Sequence, residues 1–155
     1  MDDRTLMETA VQAREYSYSP YSNFRVGAAL LCADGSVYTG CNMENAAFTP
    51  GICAERTAIY KAVSEGKRNF LAIAIAGGPA AAGSGALSLT APCGVCRQVM
   101  REFCAPETFR IILGTGGEDL QSWLLKDLLP LSFGPENLAS GREPGEKKEK
   151  EVPGA

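Results

Sequence analysis

The chain has 155 residues, of which 45% are hydrophobic and 21% charged, and its net charge is −3. This length and composition predict one soluble globular domain that is large enough to bury a core. The acidic balance argues against a nucleic-acid partner, and no apolar run is long enough to span a membrane. Six cysteines and no signal-peptide pattern predict a cytoplasmic protein with reduced thiols that can bind a metal.

The N-terminal part of the chain predicts a helix followed by a hairpin. Thr5 and Glu8 have the spacing of a capping box, which predicts a first helix with Thr5 as its N-cap. Residues 26–32 form an apolar run of strand length, and Asp34-Gly35 is a turn signal that leads into a second strand. Residues 42–51 are polar and irregular, which predicts a loop.

The middle of the chain predicts a central helix and a buried strand. The helix covers residues 53–65, with a buried stripe of small and apolar residues and with Gly66 as its stop signal. Residues 70–76 show no polar alternation, so this strand is expected to be covered on both faces. Residues 77–88 are rich in glycine, alanine and proline and predict a flexible surface loop.

The C-terminal part of the chain continues the alternation of helix and strand. A helix is predicted at 94–103, where Val95, Val99 and Phe103 line up on one face. Two strands at 109–113 and 120–125 and a helical turn at 126–129 follow. This order predicts an α/β fold with a mixed sheet.

The domain organisation that we predict is one domain and a tail. Residues 1–139 form the domain. Residues 140–155 are rich in glycine, proline, glutamate and lysine, and we predict that they are disordered.

Two cysteine motifs predict a metal site. The first is Cys53-Ala54-Glu55-Arg56, and the second is Pro92-Cys93-Gly94-Val95-Cys96. Three protein ligands with one open position are typical of a catalytic zinc site, and helix N-termini favour the thiolate form of cysteine. Buried structural thiols, or a redox pair of Cys93 and Cys96, are the alternatives. Glu55 is suitably placed to transfer a proton beside the metal.

These motifs resemble the signature of the zinc nucleobase deaminases, in which a His-or-Cys-x-Glu motif precedes Pro-Cys-x-x-Cys. Further blocks, in order over roughly residues 5–138, resemble the small homotetrameric cytidine deaminases. They are Tyr21-Ser22-Asn23-Phe24, Val26-Gly27-Ala28-Ala29-Leu30, Gly40-Cys41-Asn42-Met43-Glu44-Asn45-Ala46, Arg97-Gln98-Val99, Leu128-Leu129-Pro130 and Phe133-Gly134-Pro135. The resemblance implies a three-layer α/β/α sandwich with a mixed five-stranded sheet. It also implies one Zn²⁺ per chain and a homotetramer whose active sites are completed by neighbouring subunits.

The resemblance assigns the metal to Cys53, Cys93 and Cys96 and the proton transfers to Glu55. In the implied mechanism Glu55 takes a proton from water, delivers it to N3 of the pyrimidine and then helps to protonate the departing ammonia. Three thiolates on Zn²⁺ leave one excess negative charge, and the chain has no histidine. Arg56 is expected to offset this charge by donating to the thiolate sulfurs, and the neighbouring Arg97 is a weaker candidate for the same role.

The resemblance also assigns residues to the substrate. Asn42 and Glu44 are expected at the ribose hydroxyls, and Phe24 is expected to pack on the base. Ala54 would offer its backbone N–H to the substrate. Phe133 is the residue that a neighbouring subunit would lend to close the pocket.

The implied function is hydrolytic deamination of cytidine and 2′-deoxycytidine in pyrimidine salvage. Two alternatives stay open: a deaminase of another aminopyrimidine nucleoside or of a base in RNA, and a catalytically silent zinc-binding or redox protein. Asn42 with Glu44 favours a nucleoside, and Glu55 argues against a silent protein because a structural zinc needs no proton carrier. Phe48 stands where the family is expected to have tyrosine, so a hydroxyl is missing there.

Overall fold

The computed structural model describes residues 1–84 and 86–138, so the predicted tail at 140–155 lies outside the described residues. The helices and strands are α1 (Asp3–Ala13), a 3₁₀ helix (Arg14–Tyr16), β1 (Phe24–Cys32), β2 (Val37–Cys41), α2 (Ala54–Ser64), β3 (Phe70–Pro79), α3 (Gly94–Phe103), β4 (Arg110–Leu113), β5 (Gln121–Leu124), α4 (Leu125–Leu128) and a second 3₁₀ helix (Pro135–Leu138). Within the described ranges no helix has both the length and the apolar character needed to cross a membrane.

The strands form one five-stranded sheet in the order β2-β1-β3-β4-β5. β1 is antiparallel to β2 and β3, β3 and β4 are parallel, and β5 returns antiparallel to β4. The sheet is therefore mixed, as the sequence predicted. The α/β/α sandwich is also confirmed, because α1 covers one face of the sheet while α2 and α3 cover the other.

Alternate residues of the central strands fill two separate cores. In β1, Ala28 and Leu30 pack towards α2 and α3, whereas Ala29 packs towards α1. In β3, Ile73 packs towards α2 and α3, and Ala74 packs towards α1. Both faces of these strands are buried over most of their length, which explains why their sequences show no polar alternation. The prediction for residues 70–76 is confirmed except at Leu71, which is 47% exposed.

The caps of the helices agree with the sequence in one case and not in another. The prediction of Thr5 as the first N-cap is wrong, because Asp2 holds that position and its carboxylate accepts a hydrogen bond of 2.8 Å from the backbone N–H of Thr5. A carboxylate at a helix N-terminus satisfies a free N–H and also interacts favourably with the helix dipole. For α2, Cys53 is the N-cap, and Gly66 follows the helix with φ of +88°, as a stop signal requires.

The predicted surface loop at 77–88 begins and ends differently in the structure. Gly77 and Gly78 belong to β3 and pair with β1, so the strand is longer than the apolar run that predicted it. At the other end Leu87 is buried, and its N–H donates to the carbonyl of Thr115. The loop is thus attached to the domain at both ends.

A glycine in β2 lets the sheet come close to the first turn of α2. A Cβ atom at Gly40 would lie 2.4 Å from the carbonyl oxygen of Ala54 and 2.5 Å from the backbone nitrogen of Ala58. Both neighbours are backbone atoms of α2, so they cannot move aside as a flexible side chain would. The place of α2, and of Cys53 at its start, therefore depends on this contact.

We expect Gly40→Ala to lower the free energy of unfolding by about 3 kcal/mol, because the added methyl group overpacks the contact between β2 and α2. The change is also expected to weaken zinc binding, since Cys53 at the start of α2 is one of the predicted ligands. Urea unfolding and a zinc competition assay measure the two effects. Gly83→Ala is the control, because nothing lies within 4 Å of its added Cβ. Equal stability of the two variants would contradict the prediction.

Candidate active site

Three cysteines meet where α2 and α3 begin. Cys53 and Cys93 are the N-caps of these helices, and Cys96 lies in the first turn of α3. Both helices pack on the same face of the sheet, and the cysteines at their N-termini lie close together there. The three sulfurs lie within 4.8 Å of one another, and those of Cys53 and Cys93 are 3.8 Å apart.

The three-sulfur cluster fits a zinc ion. Tetrahedral Zn–S bonds of about 2.3 Å place neighbouring sulfurs about 3.8 Å apart, which agrees with the distance between Cys53 and Cys93. Three thiolates leave one of the four positions open, as in catalytic zinc sites. The other cysteines, Cys32, Cys41 and Cys104, are outside the cluster.

The surroundings of the sulfurs favour a thiolate. In the metal-free chain the pKa of Cys53 is lowered, first by a hydrogen bond from the thiol of Cys96 and also by Arg56. The start of α2 adds to this effect, because free N–H groups and the helix dipole stabilise negative charge there. Cys53 is therefore prepared to bind a cation at neutral pH.

Glu55 is the buried carboxyl group of the site. Its side chain is only 4% exposed, and Oε2 lies 3.8 Å from the sulfur of Cys96. Burial in the metal-free chain raises the pKa of Glu55 to about 7. A carboxyl group in contact with a ligand sulfur and shielded from solvent is suitably placed to accept and donate a proton beside the metal.

Arg56 is the cation beside the sulfurs. Its Nη2 lies 3.6 Å from the sulfur of Cys53, and the interaction with the thiolates raises the pKa of Arg56. Among the described residues its buried Nε has no hydrogen-bond partner. Arg97 is arranged differently, since it donates to the carbonyl oxygens of Pro92 and Leu128, each at 2.7 Å.

We expect Arg56→Gln to lower zinc affinity by about 10–100-fold, because the excess negative charge of three thiolates loses its compensating cation. Competition with a chromophoric chelator measures the affinity. Arg110→Gln is the matched control, because Arg110 pairs with Asp3 instead of with a ligand sulfur. An unchanged affinity in Arg56→Gln would show that Arg56 does not balance the charge of the site.

Asn42 organises the start of β1. Its Oδ1 accepts a hydrogen bond of 2.8 Å from the N–H of Val26, and it also accepts one from the hydroxyl of Ser17. Its Nδ2 donates to the carbonyl oxygen of Phe24 at 2.9 Å. An amide has two N–H donors, so one remains available for a ligand. Phe24, the predicted base-packing residue, is partly buried and is held by this contact.

Glu44 is fixed by one of its two carboxylate oxygens. Oε1 accepts hydrogen bonds from the backbone N–H groups of Tyr21 and Ser22 at 2.9 and 3.0 Å. The side chain of Ser22 lowers the pKa of Glu44 most, the backbone bonds lower it further, and the group is ionised at neutral pH. Oε2 keeps its capacity to accept from a ligand hydroxyl.

Thr57 connects this loop to the metal-binding helix. Its hydroxyl lies 3.1 Å from the carbonyl oxygens of both Cys41 and Cys53. It thereby joins the end of β2, next to Asn42, to the start of α2. Neither this role of Thr57 nor the bond from Ser17 to Asn42 was predicted from the sequence. A threonine one turn after Cys53 is compatible with an ordinary helix, so the local pattern carried no signal for this contact.

The two remaining predicted residues occupy different environments. Ala54 is fully buried as the first residue of α2, where a backbone N–H has no acceptor within the helix. Phe133 follows α4, its side chain is 59% exposed, and its carbonyl accepts a hydrogen bond of 3.0 Å from Gln98 on α3. A single chain therefore leaves the ring of Phe133 in solvent.

Curated relatives of the chain are named as cytidine deaminases. A cytidine deaminase from Halalkalibacterium halodurans is 46% identical over 138 residues, which cover 89% of this chain and 98% of that protein. A cytidine deaminase from Sporosarcina psychrophila is 44% identical over 143 residues, which cover 92% of this chain and 99% of the relative.

Solved structures show the same relationship. The crystal structure of cytidine deaminase from Burkholderia pseudomallei matches with a TM-score of 0.76 and 44% identity, over 86% of this chain and all of that one. That of the Mycobacterium tuberculosis enzyme matches with a TM-score of 0.72 and 38% identity, over 86% and 98%. The sequence model described as "Cytidine and deoxycytidylate deaminase zinc-binding region" matches residues 1–112. The chain belongs to the cytidine and deoxycytidylate deaminase family.

Proposed function

We propose that this chain catalyses the zinc-dependent hydrolytic deamination of cytidine and 2′-deoxycytidine to the corresponding uridines and ammonia. The observation that carries the proposal is the contact between a three-sulfur zinc site and a buried carboxyl group. Cys53, Cys93 and Cys96 would hold the metal, and Glu55 lies against the sulfur of Cys96. The names and the extent of the similar proteins support the same reaction.

Glu55 is the proton carrier in the proposed mechanism. When bound, Zn²⁺ supplies the Lewis acidity that lowers the pKa of a water molecule towards neutrality. Glu55 accepts a proton from the attacking water and delivers it to N3 as the C–O bond forms at C4. Glu55 then takes the remaining proton from the new C4 hydroxyl and delivers it to the amino group; the C–N bond breaks, the C4 carbonyl forms and ammonia leaves. The leaving group needs this proton because an amide ion is too basic to depart.

The loop around Asn42 and Glu44 is the proposed sugar site. Asn42 keeps one N–H donor and Glu44 keeps one carboxylate oxygen, and this pair suits the hydroxyl groups of a neutral sugar. Phe24 would pack on the pyrimidine, and the free N–H of Ala54 would bind its polar edge. Asn42 holds the backbone of Phe24, and Thr57 joins the end of β2, next to Asn42, to the start of α2, where Ala54 lies.

The proposed active form is a homotetramer in which Phe133 of one chain closes the pocket of a neighbour. Exposed apolar side chains support this arrangement, since Phe133, Phe48 and Leu131 all project into solvent from the single chain. Light scattering tests the assembly, and a monomeric mass with full activity would refute it. The free thiols are compatible with the cytoplasm, where we place the enzyme in pyrimidine salvage.

A substrate panel tests the proposed function. Loss of the ultraviolet absorbance of cytosine is followed with cytidine, 2′-deoxycytidine, free cytosine and a cytosine-containing RNA oligonucleotide. We expect turnover of the two nucleosides and little turnover of free cytosine or RNA. Turnover of only a different aminopyrimidine nucleoside would favour the first alternative. Zinc binding without any turnover would favour a silent zinc protein.

The variant Glu44→Gln tests whether Glu44 binds the sugar. Glutamine retains an oxygen that can accept the N–H groups of Tyr21 and Ser22, so the loop is expected to keep its shape. The loss of the carboxylate should raise KM for cytidine by about tenfold while kcat changes little. An unchanged KM would remove Glu44 from the sugar site.

A further inference from the structure

We propose that Gln98, Arg101 and Gly134 are positioning residues that set the place of Phe133 and thereby the affinity for the nucleoside. The inference rests on the proposed function, because Phe133 affects the reaction only if it closes a pocket. We call residues 128–137 the Phe133 segment. It lies against the outer face of α3.

Hydrogen bonds from α3 hold the Phe133 segment on both sides of the phenylalanine and at the phenylalanine itself. Arg101 Nε donates to the hydroxyl of Ser132 at 3.0 Å, and Gln98 Nε2 donates to the carbonyl oxygen of Phe133 at 3.0 Å. The two terminal nitrogens of Arg101 donate to the two carboxylate oxygens of Glu136 at 3.3 and 2.7 Å. The backbone around Phe133 is therefore fixed relative to α3.

Gly134 lies flat against the guanidinium of Arg101. A Cβ atom at Gly134 would be 2.3 Å from Cζ of Arg101 and 2.4–2.5 Å from its two terminal nitrogens. The arginine side chain is only 12% exposed, although its partner Glu136 is 70% exposed. Gly134 and Asn137 also exchange two hydrogen bonds, which close the turn. The arginine is thus enclosed by the segment that it supports.

The backbone of the Phe133 segment is held by several hydrogen bonds, although the ring of Phe133 is exposed. Ordering a surface segment costs conformational entropy, and the side chain of Phe133 recovers little of it by burial within the single chain. These hydrogen bonds have a purpose if they hold the ring, before substrate binds, in the position from which it closes the pocket of a neighbouring chain. A ring that is already ordered loses less freedom on binding, and this lowers the cost of closing the pocket.

The same helix joins the support to the metal site. Cys93 is the N-cap of α3, and Cys96 lies in its first turn. The next residue, Arg97, donates to the carbonyl oxygens of Pro92 and Leu128. The residues that hold Phe133 lie on the next turns of this helix. One helix therefore carries two of the proposed metal ligands and also holds the segment that offers Phe133 to a neighbour.

Gln98→Glu and Gly134→Ala test the inference in the assembled enzyme. Glutamate has nearly the same shape as glutamine, but when ionised it cannot donate to the carbonyl of Phe133. We expect each change to raise KM for cytidine by about tenfold and to leave kcat within about threefold. Arg110→Ala, which removes an arginine–carboxylate pair at Asp3, is expected to leave both constants unchanged.

Arg101 provides a rescue test. Arg101→Ala should raise KM, and Arg101→Lys should restore it only in part, because lysine keeps the charge but cannot form both hydrogen bonds to Glu136. A loss due only to lower stability would not follow this order. If Gly134→Ala fails to fold, Gln98→Glu and the Arg101 pair still decide the question.

Mixed oligomers complete the test. Glu55→Gln subunits retain an intact Phe133 segment, whereas Gly134→Ala subunits retain Glu55. When the two are co-expressed, a site can combine Glu55 from a Gly134→Ala subunit with Phe133 from a Glu55→Gln subunit. We expect such sites to have the wild-type KM. If the wild type turns over cytidine but Gln98→Glu and Gly134→Ala have an unchanged KM, the inference is overturned and the proposed function is not. A fall in kcat at constant KM in these variants would have the same meaning. Absence of cytidine turnover in the wild type would overturn the proposed function and the inference together.

Discussion

Glu55→Gln is expected to lower kcat for cytidine by about 10³–10⁴-fold while the protein keeps one zinc per chain. Glutamine fills nearly the same volume but cannot carry a proton between water and the pyrimidine. Zinc should remain, because the sulfurs of Cys53, Cys93 and Cys96 form the ligand set without the carboxylate. Steady-state kinetics and metal analysis of the same sample measure the two quantities.

Glu65→Gln is the control for this change. Glu65 follows the other end of α2, where it is exposed and accepts a hydrogen bond from the hydroxyl of Tyr38. Its replacement should leave kcat within about twofold of the wild type. Loss of zinc from Glu55→Gln would make Glu55 a metal ligand, and a nearly normal kcat would exclude it as the proton carrier. Either result would require a different mechanism.

Cys96→Ser is expected to remove zinc and to lower turnover to about one thousandth of the wild type or less. Cys96 is fully buried at the start of α3, so no other ligand can easily replace its sulfur. The variant should also lose the stability that bound zinc provides, about 3 kcal/mol when free zinc is about 100 times its Kd. Thermal unfolding with and without added zinc measures this contribution.

Cys104→Ser is the matched control for the loss of a buried thiol. Cys104 is also buried and follows the C-terminal end of α3, but it lies outside the three-sulfur cluster. Its replacement should lower stability slightly and leave zinc content and activity intact. If Cys96→Ser kept stoichiometric zinc and normal activity, the three-sulfur site would be wrong.

The elements that could be predicted from the sequence are those with local signals. The strands β1 and β3 were predicted from the apolar runs at 26–32 and 70–76, and the proposed metal ligands stand in two short motifs at helix starts. Spacing alone suffices in these cases because the neighbours that matter are a few residues apart. The capping box at Thr5 failed for a local reason, since Asp2 is a competing cap three residues earlier.

The apolar stripe predicted for α3 is wrong at its first residue, because Cys96 and not Val95 begins the buried face. Val95, Val99 and Phe103 line up in the sequence, yet Val95 is 58% exposed and the buried residues are Cys96 and Met100. The helix is turned so that Cys96 reaches the sulfurs of the other motif. The face that packs on the core consists of Cys96, Val99, Met100 and Phe103, which have the spacing i, i+3, i+4 and i+7 of an ordinary amphipathic helix.

The contacts that support the site could not be predicted from the sequence. Thr57 joins two elements through backbone carbonyls, and Gln98 and Arg101 contact a segment more than 30 residues away along the chain. Polar residues on helices mostly face water, so their types alone give no reason to expect such partners. These contacts depend on how the elements pack, which only the folded structure shows.

The most direct test of the central claim is to incubate the purified wild-type chain with cytidine and to measure product and zinc in the same preparation. We predict conversion of cytidine to uridine with release of one ammonia per turnover, at about one zinc per chain. Removal of zinc with a chelator should abolish the reaction, and added zinc should restore it. Full turnover by the zinc-free chain, or stoichiometric zinc without any turnover of cytidine, would contradict the claim.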